Sequence, residues 1–292
     1  MPRYKGLSKI SKKFTLGLPI DLSYQTNRII VFVSIISLTA VQVYQLVIGT
    51  SFIPAFFAAA AAGFAVFLSW ASGREIDPAN DWSAFVALPV TFLIALLYGP
   101  PAFMAILFIL LFSRVLNGTT GKQATAIDSA ILLILGGGLH YNGIITALPI
   151  LIAVFILDTL LKPFNRGQIF FALAAMALFG VMLAFMPGRL ILPQDLSSCA
   201  VFASFLIIVA AVVVTYLTRG ERTYNYQGGF ILRGSRIFAS QAAIMIFILA
   251  ELFTKGNTAL LYFYPVTAAY FGAAIYHLAR LTRSRQKQFF KN

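Results

Sequence analysis

Charged residues are scarce in this 292-residue chain: only 11% of its residues are Asp, Glu, Lys or Arg, whereas 60% are hydrophobic. A soluble domain is about 25% charged and about 45–50% apolar, because polar side chains must cover its core. The shortage of charge therefore excludes an ordinary water-soluble fold. It predicts an all-α fold, a polytopic transmembrane helix bundle, since each helix satisfies its backbone hydrogen bonds within its own segment.

Residues that form disulfides or bind metals are also few. Cys199 is the only cysteine, so no intrachain disulfide can form, and His140 and His277 are the only histidines. A zinc site built from nitrogen and sulfur ligands is not expected from so small a set. We assign no metal site, and the sequence leaves any cofactor unknown.

Basic residues outnumber acidic ones by 22 to 9, which gives a net charge of +13. No basic stretch is long enough to fold alone as a nucleic-acid-binding domain, so we expect no nucleic acid partner. The basic residues flank apolar runs instead. This placement predicts a lipid bilayer as the partner, with anionic headgroups at the basic tails. The oligomeric state is left open.

Ten apolar runs follow one another along the chain. They cover residues 29–48, 53–71, 83–98, 101–116, 126–140, 143–161, 168–187, 199–217, 238–254 and 258–279. A membrane crossing takes about 20 residues, and several runs are shorter. Glycine- and proline-rich turns alone split 83–116 and 126–161, so each pair predicts either two short helices or a re-entrant hairpin. The count is then ten or eight.

The basic residues also predict an orientation. If the N-terminus is cytoplasmic and there are ten helices, all Lys and Arg residues except Arg189 and Lys255 fall on the cytoplasmic side, as the positive-inside rule requires. The expected organisation is a basic cytoplasmic tail (1–28), a transmembrane domain (29–279) and a second basic cytoplasmic tail (280–292). The run from residue 29 is long enough for a retained helix, not a cleaved signal. We expect a bacterial cytoplasmic (inner) membrane.

Five helices in each half would give the halves opposite orientations, which allows the 5+5 inverted repeat found in many transporters. Residues 29–140 and 143–279 show no convincing residue-level match. The repeat is therefore permitted by the topology without support from the sequence.

Polar side chains concentrate in the segments predicted to face the cytoplasm, and a site is expected there. The candidate substrate-binding residues are Arg74, Asp77, Asp81, Arg114, Asn117, Lys122, Asp128, Asp158 and Arg166. No catalytic residue is assigned.

Asp77 and Asp81 have two interpretations. Four residues apart, they would share one face of a helix and could hold a divalent cation against a phosphate. The favoured interpretation is that Asp77 caps a helix N-terminus, with Pro78 at the first helical position. Similarly, Thr125 and Asp128 match a capping box, and the alternative for Asp128 is a carboxylate that lines a pathway.

Asp158 and Glu251 each precede a lysine by four residues, Lys162 and Lys255, and both spacings predict ion pairs within a helix. An unpaired Glu251 would instead suggest proton coupling.

Two connecting segments were considered as binding elements. Residues 117–122 predict a polar turn, with an anion-binding backbone nest beside Lys122 as the alternative. Residues 224–229, with Arg233 and Arg236, mix aromatic and basic side chains and predict a position at the headgroup interface, with substrate contact as the alternative.

Three functions fit these features. The favoured one is a transporter or flippase for a small apolar, amphipathic or lipid-like solute, because no charged residue lies at a predicted midplane. The second is a membrane-embedded enzyme that acts at the cytoplasmic face on a phosphorylated lipid or prenyl donor. The third is a non-catalytic membrane subunit.

Overall fold

The computed structural model describes residues 15–17, 20–185, 197–219, 223–224 and 231–289, and regular structure in these ranges is helical. An isolated bridge joins Tyr224 and Ile231, and the described ranges contain no β-strand. The helices are α1 (Gln25–Val47), α2 (Phe52–Ile76), α3 (Ser83–Val86), α4 (Leu88–Tyr98), α5 (Phe103–Asn117), α6 (Ala126–Tyr141), α7 (Ala147–Leu160), α8 (Gln168–Phe185), α9 (Ser198–Thr218), α10 (Gly234–Lys255) and α11 (Asn257–Phe289).

The all-helical fold is confirmed, and each of the ten apolar runs coincides with a helix, the short α3 and α4 sharing one run. Among the described residues, six helices are long and apolar enough to cross a membrane: α1, α2, α8, α9, α10 and α11. The last of these continues past residue 279 into the predicted C-terminal tail. These properties are those of an integral membrane protein.

The surface of the long helices is apolar. Phe170 and Phe185 of α8 are 73% and 81% exposed, and Phe202 of α9 is 63% exposed. Soluble monomers rarely expose contiguous apolar patches of more than a few hundred Å². Such faces are stable in contact with lipid tails, so the hydrophobic exterior agrees with the composition of the chain.

Glycine-containing turns divide the two long apolar stretches, as predicted. Helix α4 ends before Gly99, whose φ is +86°, and α7 begins shortly after Gly143, whose φ is +87°. Both are backbone conformations that only glycine adopts at no steric cost. The resulting helices are short: the segments Ser83–Tyr98, Phe103–Asn117, Ala126–Tyr141 and Ala147–Leu160 all have fewer than 18 residues.

The chain forms two compact units, and neither is a continuous half of the sequence. Unit 1 comprises Met1–Pro19, Met104–Ser204 and Gly220–Leu260, and unit 2 comprises Ile20–Phe103, Phe205–Arg219 and Leu261–Asn292. The halves considered for an inverted repeat therefore differ from the compact units. The repeat itself remains a prediction.

Unit 2 packs through small residues. A Cβ atom added at Gly63 of α2 would lie 2.9 Å from the backbone oxygen of Ser34 in α1, and one added at Gly73 would lie 2.9 Å from Ala84 in α3. Ala59, Ala62 and Ala65 of α2 are also buried and belong to the same core. Small side chains let helix backbones approach closely, which is how helices pack when no hydrophobic effect drives them together.

Unit 1 packs through aromatic rings instead. Phe108 and Phe112 of α5 contact Phe247 of α10 edge to face, with ring centroids 5.8 and 6.2 Å apart. Gly136 of α6 leaves room for the ring of Phe108, whose nearest atom would lie 3.2 Å from an added Cβ. Edge-to-face pairs stabilise beyond the area they bury.

Gly272 of α11 provides a test of the close packing in unit 2. An added Cβ would lie 2.7 Å from the backbone nitrogen of Ala87, so Gly272→Ala forces backbone apart and should destabilise the protein by about 1–3 kcal/mol. Gly180→Ala in α8 is the matched control, because nothing lies within 4 Å of its Cβ. It should be neutral or stabilising by up to about 1 kcal/mol. Denaturant unfolding in detergent measures both, and equal effects would contradict the packing described.

Candidate functional site

Arg236 is the centre of a buried polar cluster in unit 1. It lies near the start of α10, is 5% exposed and forms an ion pair with Asp158 of α7. Its guanidinium also donates to the carbonyl oxygens of Leu116 (2.7 Å), Val115 (3.0 Å), Leu161 (3.0 Å) and Pro163 (3.4 Å). A single arginine thus caps the C-terminal ends of both α5 and α7. The last carbonyls of a helix have no hydrogen-bond partner within the helix, and the helix dipole favours a cation there.

One prediction about these residues is wrong. The partner of Asp158 is Arg236, not Lys162, because α7 ends at Leu160 and residue 162 no longer follows helical spacing. Arg236 is buried within unit 1, where its ion pair and carbonyl contacts hold it, and the position of its segment at the headgroup interface stays a prediction. Arg233 of the same segment is exposed at the start of α10, and residues 225–230 lie outside the described residues.

Asp128 confirms the predicted capping box and has a second role. Its carboxylate accepts from the Thr125 backbone nitrogen at 2.8 Å while Thr125 caps α6. It also accepts from the backbone nitrogen (3.0 Å) and hydroxyl (2.6 Å) of Thr15, and Arg114 donates to the carbonyl of Leu16 at 2.7 Å. The segment before α1 is therefore docked on the start of α6, with Leu16 buried.

The segment 117–122 forms the predicted polar turn between α5 and α6. Gly118 and Gly121 have φ angles of +69° and +78°, and the Gly121 nitrogen donates to the Gly118 carbonyl. Asn117 is buried and Lys122 is exposed. Anion binding by this turn remains a prediction.

Unit 2 has its own polar cluster at the end of α2. Asp77 is fully buried, and its Oδ2 lies 2.9 Å from Nε2 of His277 in α11. Asn80 donates to the other carboxylate oxygen at 3.1 Å. Asp81 forms an ion pair with Arg74 at 2.9 Å, and the Arg74 guanidinium lies 5.4 Å from the centre of the Trp70 ring.

The interpretation of Asp77 as a helix N-cap is wrong. Asp77 follows the last residue of α2, and residues 77–82 form turns before α3 begins at Ser83. Because this segment is not helical, Asp77 and Asp81 do not share a helix face. The buried histidine partner accounts for the position of Asp77.

Glu251 is held at the opposite end of unit 1. The predicted pair with Lys255 is confirmed at 3.4 Å. Glu251 also accepts hydrogen bonds from Thr146, the residue that precedes α7. The turn between α6 and α7 is therefore fastened to the long helix α10.

The candidate residues fall into separate groups. Arg114 and Asp128 meet through Thr15 and Leu16, Arg74 meets Asp81, and Asp158 and Asp77 each meet a partner that the sequence analysis did not assign to them. Lys122 and Arg166 are exposed, in unit 1. A single site that contains all nine residues is not found in either unit.

The two missed partners had a signal in the sequence. His277 lies within the apolar run 258–279, and Arg236 lies in the first turn of a helix that has no other charged residue before Glu251. An ionisable residue inside or beside a membrane span usually faces the protein interior and has a partner there. A search for such residues that included histidine would have selected both.

The charged side chains of these clusters form ion pairs with one another and cap the ends of helices. Among the described residues, no group of three or more His, Cys, Asp and Glu side chains is placed to hold a metal ion. The carboxylates of Asp77, Asp81, Asp128 and Asp158 all have protein partners.

Comparisons with protein-family models, with curated proteins and with solved structures find no significant match to this chain.

The Arg236–Asp158 pair can be distinguished from the pair expected by spacing. Arg236→Met leaves a buried carboxylate without its cation and should cost about 3–5 kcal/mol of unfolding free energy. Lys162→Met removes an exposed lysine and should cost under about 0.5 kcal/mol. The double variant Arg236→Met/Asp158→Leu should regain much of the loss. Denaturant unfolding in detergent measures all three, and a larger effect of Lys162→Met would refute this assignment.

Proposed function

We propose that this chain is a transporter or flippase for a small apolar, amphipathic or lipid-like solute. The observation that carries the proposal is the series of four consecutive short helical segments between Ser83 and Leu160. At about 1.5 Å per residue these segments are about 21–24 Å long, whereas the hydrocarbon layer is about 30 Å thick. Each therefore ends or begins at membrane depth unless the bilayer thins around it.

Backbone that leaves the helix at membrane depth is tolerated where protein surrounds it or where it lines a cavity. Many secondary transporters bind their substrates where helices are interrupted within the membrane. Both turns here are fastened to a long helix of their own unit. Tyr264 of α11 donates to the Gly99 carbonyl at 3.2 Å, and Glu251 of α10 accepts from Thr146. Two anchored breaks support a transport function more than a purely structural one.

The pairing of the buried charged residues indicates which class of solute the protein would carry. The buried carboxylates Asp77, Asp158 and Glu251 are all engaged by His277, Arg236 and Lys255. An ionic solute would have to compete with these pairs for its counter-charges. An apolar or amphipathic solute can instead contact the hydrophobic side chains, which form most of the interior.

A membrane-embedded enzyme acting on a phosphorylated lipid is the weaker proposal. It requires carboxylates that are free to hold Mg²⁺ at the cytoplasmic face, and Asp81 and Asp158 are already paired with arginines. A non-catalytic subunit would have no need of two anchored helix breaks.

We further propose that both termini are cytoplasmic in a bacterial inner membrane. Within unit 1, the ends that the positive-inside rule predicts to be cytoplasmic contact one another: the end of α5, the start of α6, the end of α7 and the start of α10. Within unit 2, the end of α2 contacts the last part of α11 in the same way. Within each unit, the helix ends that are predicted to lie on the same side of the membrane are thus in contact. This supports helices that cross the membrane in alternating directions.

Labelling with a membrane-impermeant maleimide tests the orientation. Cys199→Ser removes the only cysteine, and Ser51→Cys or Lys122→Cys then adds one at an exposed position. In intact cells we expect labelling at residue 51 and none at residue 122, with the reverse in inverted vesicles. The opposite pattern would overturn the assignment.

Flux through proteoliposomes tests the function. The purified chain should carry at least one member of a panel of radiolabelled amphipathic solutes and fluorescent phospholipids. Tyr264→Phe removes the hydrogen bond that anchors the first break and should lower the flux about two- to tenfold, the worth of one hydrogen bond. Tyr216→Phe is the control, because Tyr216 is 73% exposed. An absence of flux across the whole panel would refute the proposal.

A further inference from the structure

Two connecting segments of unit 1 are tied together by hydrogen bonds. They are residues 118–125, between α5 and α6, and residues 161–167, between α7 and α8, and we call them the basic loop pair. The side-chain nitrogen of Gln123 donates to the carbonyls of Pro163 (3.4 Å) and Phe164 (3.3 Å). Asn165 donates to the carbonyl of Ala124 at 3.1 Å. The two loops therefore present one continuous surface.

Three exposed cations lie on this surface: Lys122, Lys162 and Arg166. Each is next in sequence to a residue that bonds the two loops together. Within the ranges that the structure describes, no carboxylate forms an ion pair with any of the three. The acids nearest in sequence, Asp128 and Asp158, are buried and have other partners. The surface therefore carries about three uncompensated positive charges.

Exposed apolar side chains border these cations. Phe164 is 49% exposed, and the Lys162 ammonium lies 5.8 Å from the centre of its ring. Phe170 and Leu173 begin the exposed face of α8 directly after the loop. The first turn of α8 contains no acidic residue, so the positive end of the helix dipole adds to the charge of the loop.

We propose that the basic loop pair binds the headgroup of an anionic phospholipid, whose acyl chains lie along the exposed face of α8. A phosphodiester with net negative charge fits three cations that lack acidic partners. The hydrophobic residues next to them fit the chains of the same molecule, and free phosphate would use only the cations. Binding of this lipid does not require that the chain transports a solute.

Lipid binding to the full chain in detergent tests the proposal. The probes are short-chain phosphatidylglycerol, phosphatidylcholine with the same chains, and inorganic phosphate, and the readouts are native mass spectrometry and the thermal unfolding midpoint. We expect saturable binding of phosphatidylglycerol that weakens with salt. The triple variant Lys122→Gln/Lys162→Gln/Arg166→Gln should bind it at least tenfold more weakly.

A matched triple variant controls for total charge. Arg28→Gln/Arg219→Gln/Arg233→Gln removes the same formal charge from exposed positions outside the basic loop pair, and its affinity should stay within about twofold of the parent. Equal losses in both triple variants would overturn the proposal. So would phosphatidylcholine or inorganic phosphate binding as tightly as phosphatidylglycerol. If the first triple variant fails to fold, the three single variants should each weaken binding about two- to fivefold.

Discussion

Hydrocarbon offers no hydrogen bonds, and every polar group that this chain places near it must therefore find a partner within the protein. The ends of helices are where this requirement is hardest to meet, since their last carbonyls and first amides lack partners in the helix. Arg236 meets it for two helices at once, through carbonyls of Val115 and Leu116 after α5 and of Leu161 after α7. Asp128 and Glu251 do the same at the starts of α6 and α7.

These caps supply the hydrogen bonds that the ends of the short helices need within the protein. A helix of about 15 residues is too short to reach both headgroup layers, where water would satisfy its ends. The break at Gly99 is accordingly bonded to Tyr264 of α11, and the break that follows Gly143 is bonded through Thr146 to Glu251 of α10. Internal satisfaction of the breaks and an apolar outer surface are properties expected of a protein that works within a bilayer.

Prediction from sequence succeeded where a signal is local. The capping box of Thr125 and Asp128 and the pair of Glu251 and Lys255 depend on residues three or four apart on one helix, and both are present. It failed where helix ends were misplaced. The sequence pattern predicts a helix start at Asp77, which in fact follows the end of α2, and a helix that reaches Lys162, although α7 ends at Leu160. An error of a few residues at a boundary changes the neighbours of a side chain completely.

The sequence by itself determined that the chain is an apolar helical protein, where its helices lie and where glycine and proline interrupt them. Those properties depend on the hydropathy and backbone preferences of neighbouring residues, which can be read along the chain. Only the tertiary structure decided that Asp158 pairs with Arg236, 78 residues away, and Asp77 with His277, 200 residues away. Such partners are selected by which helix ends meet in space, and meeting in space depends on the packing of the whole unit.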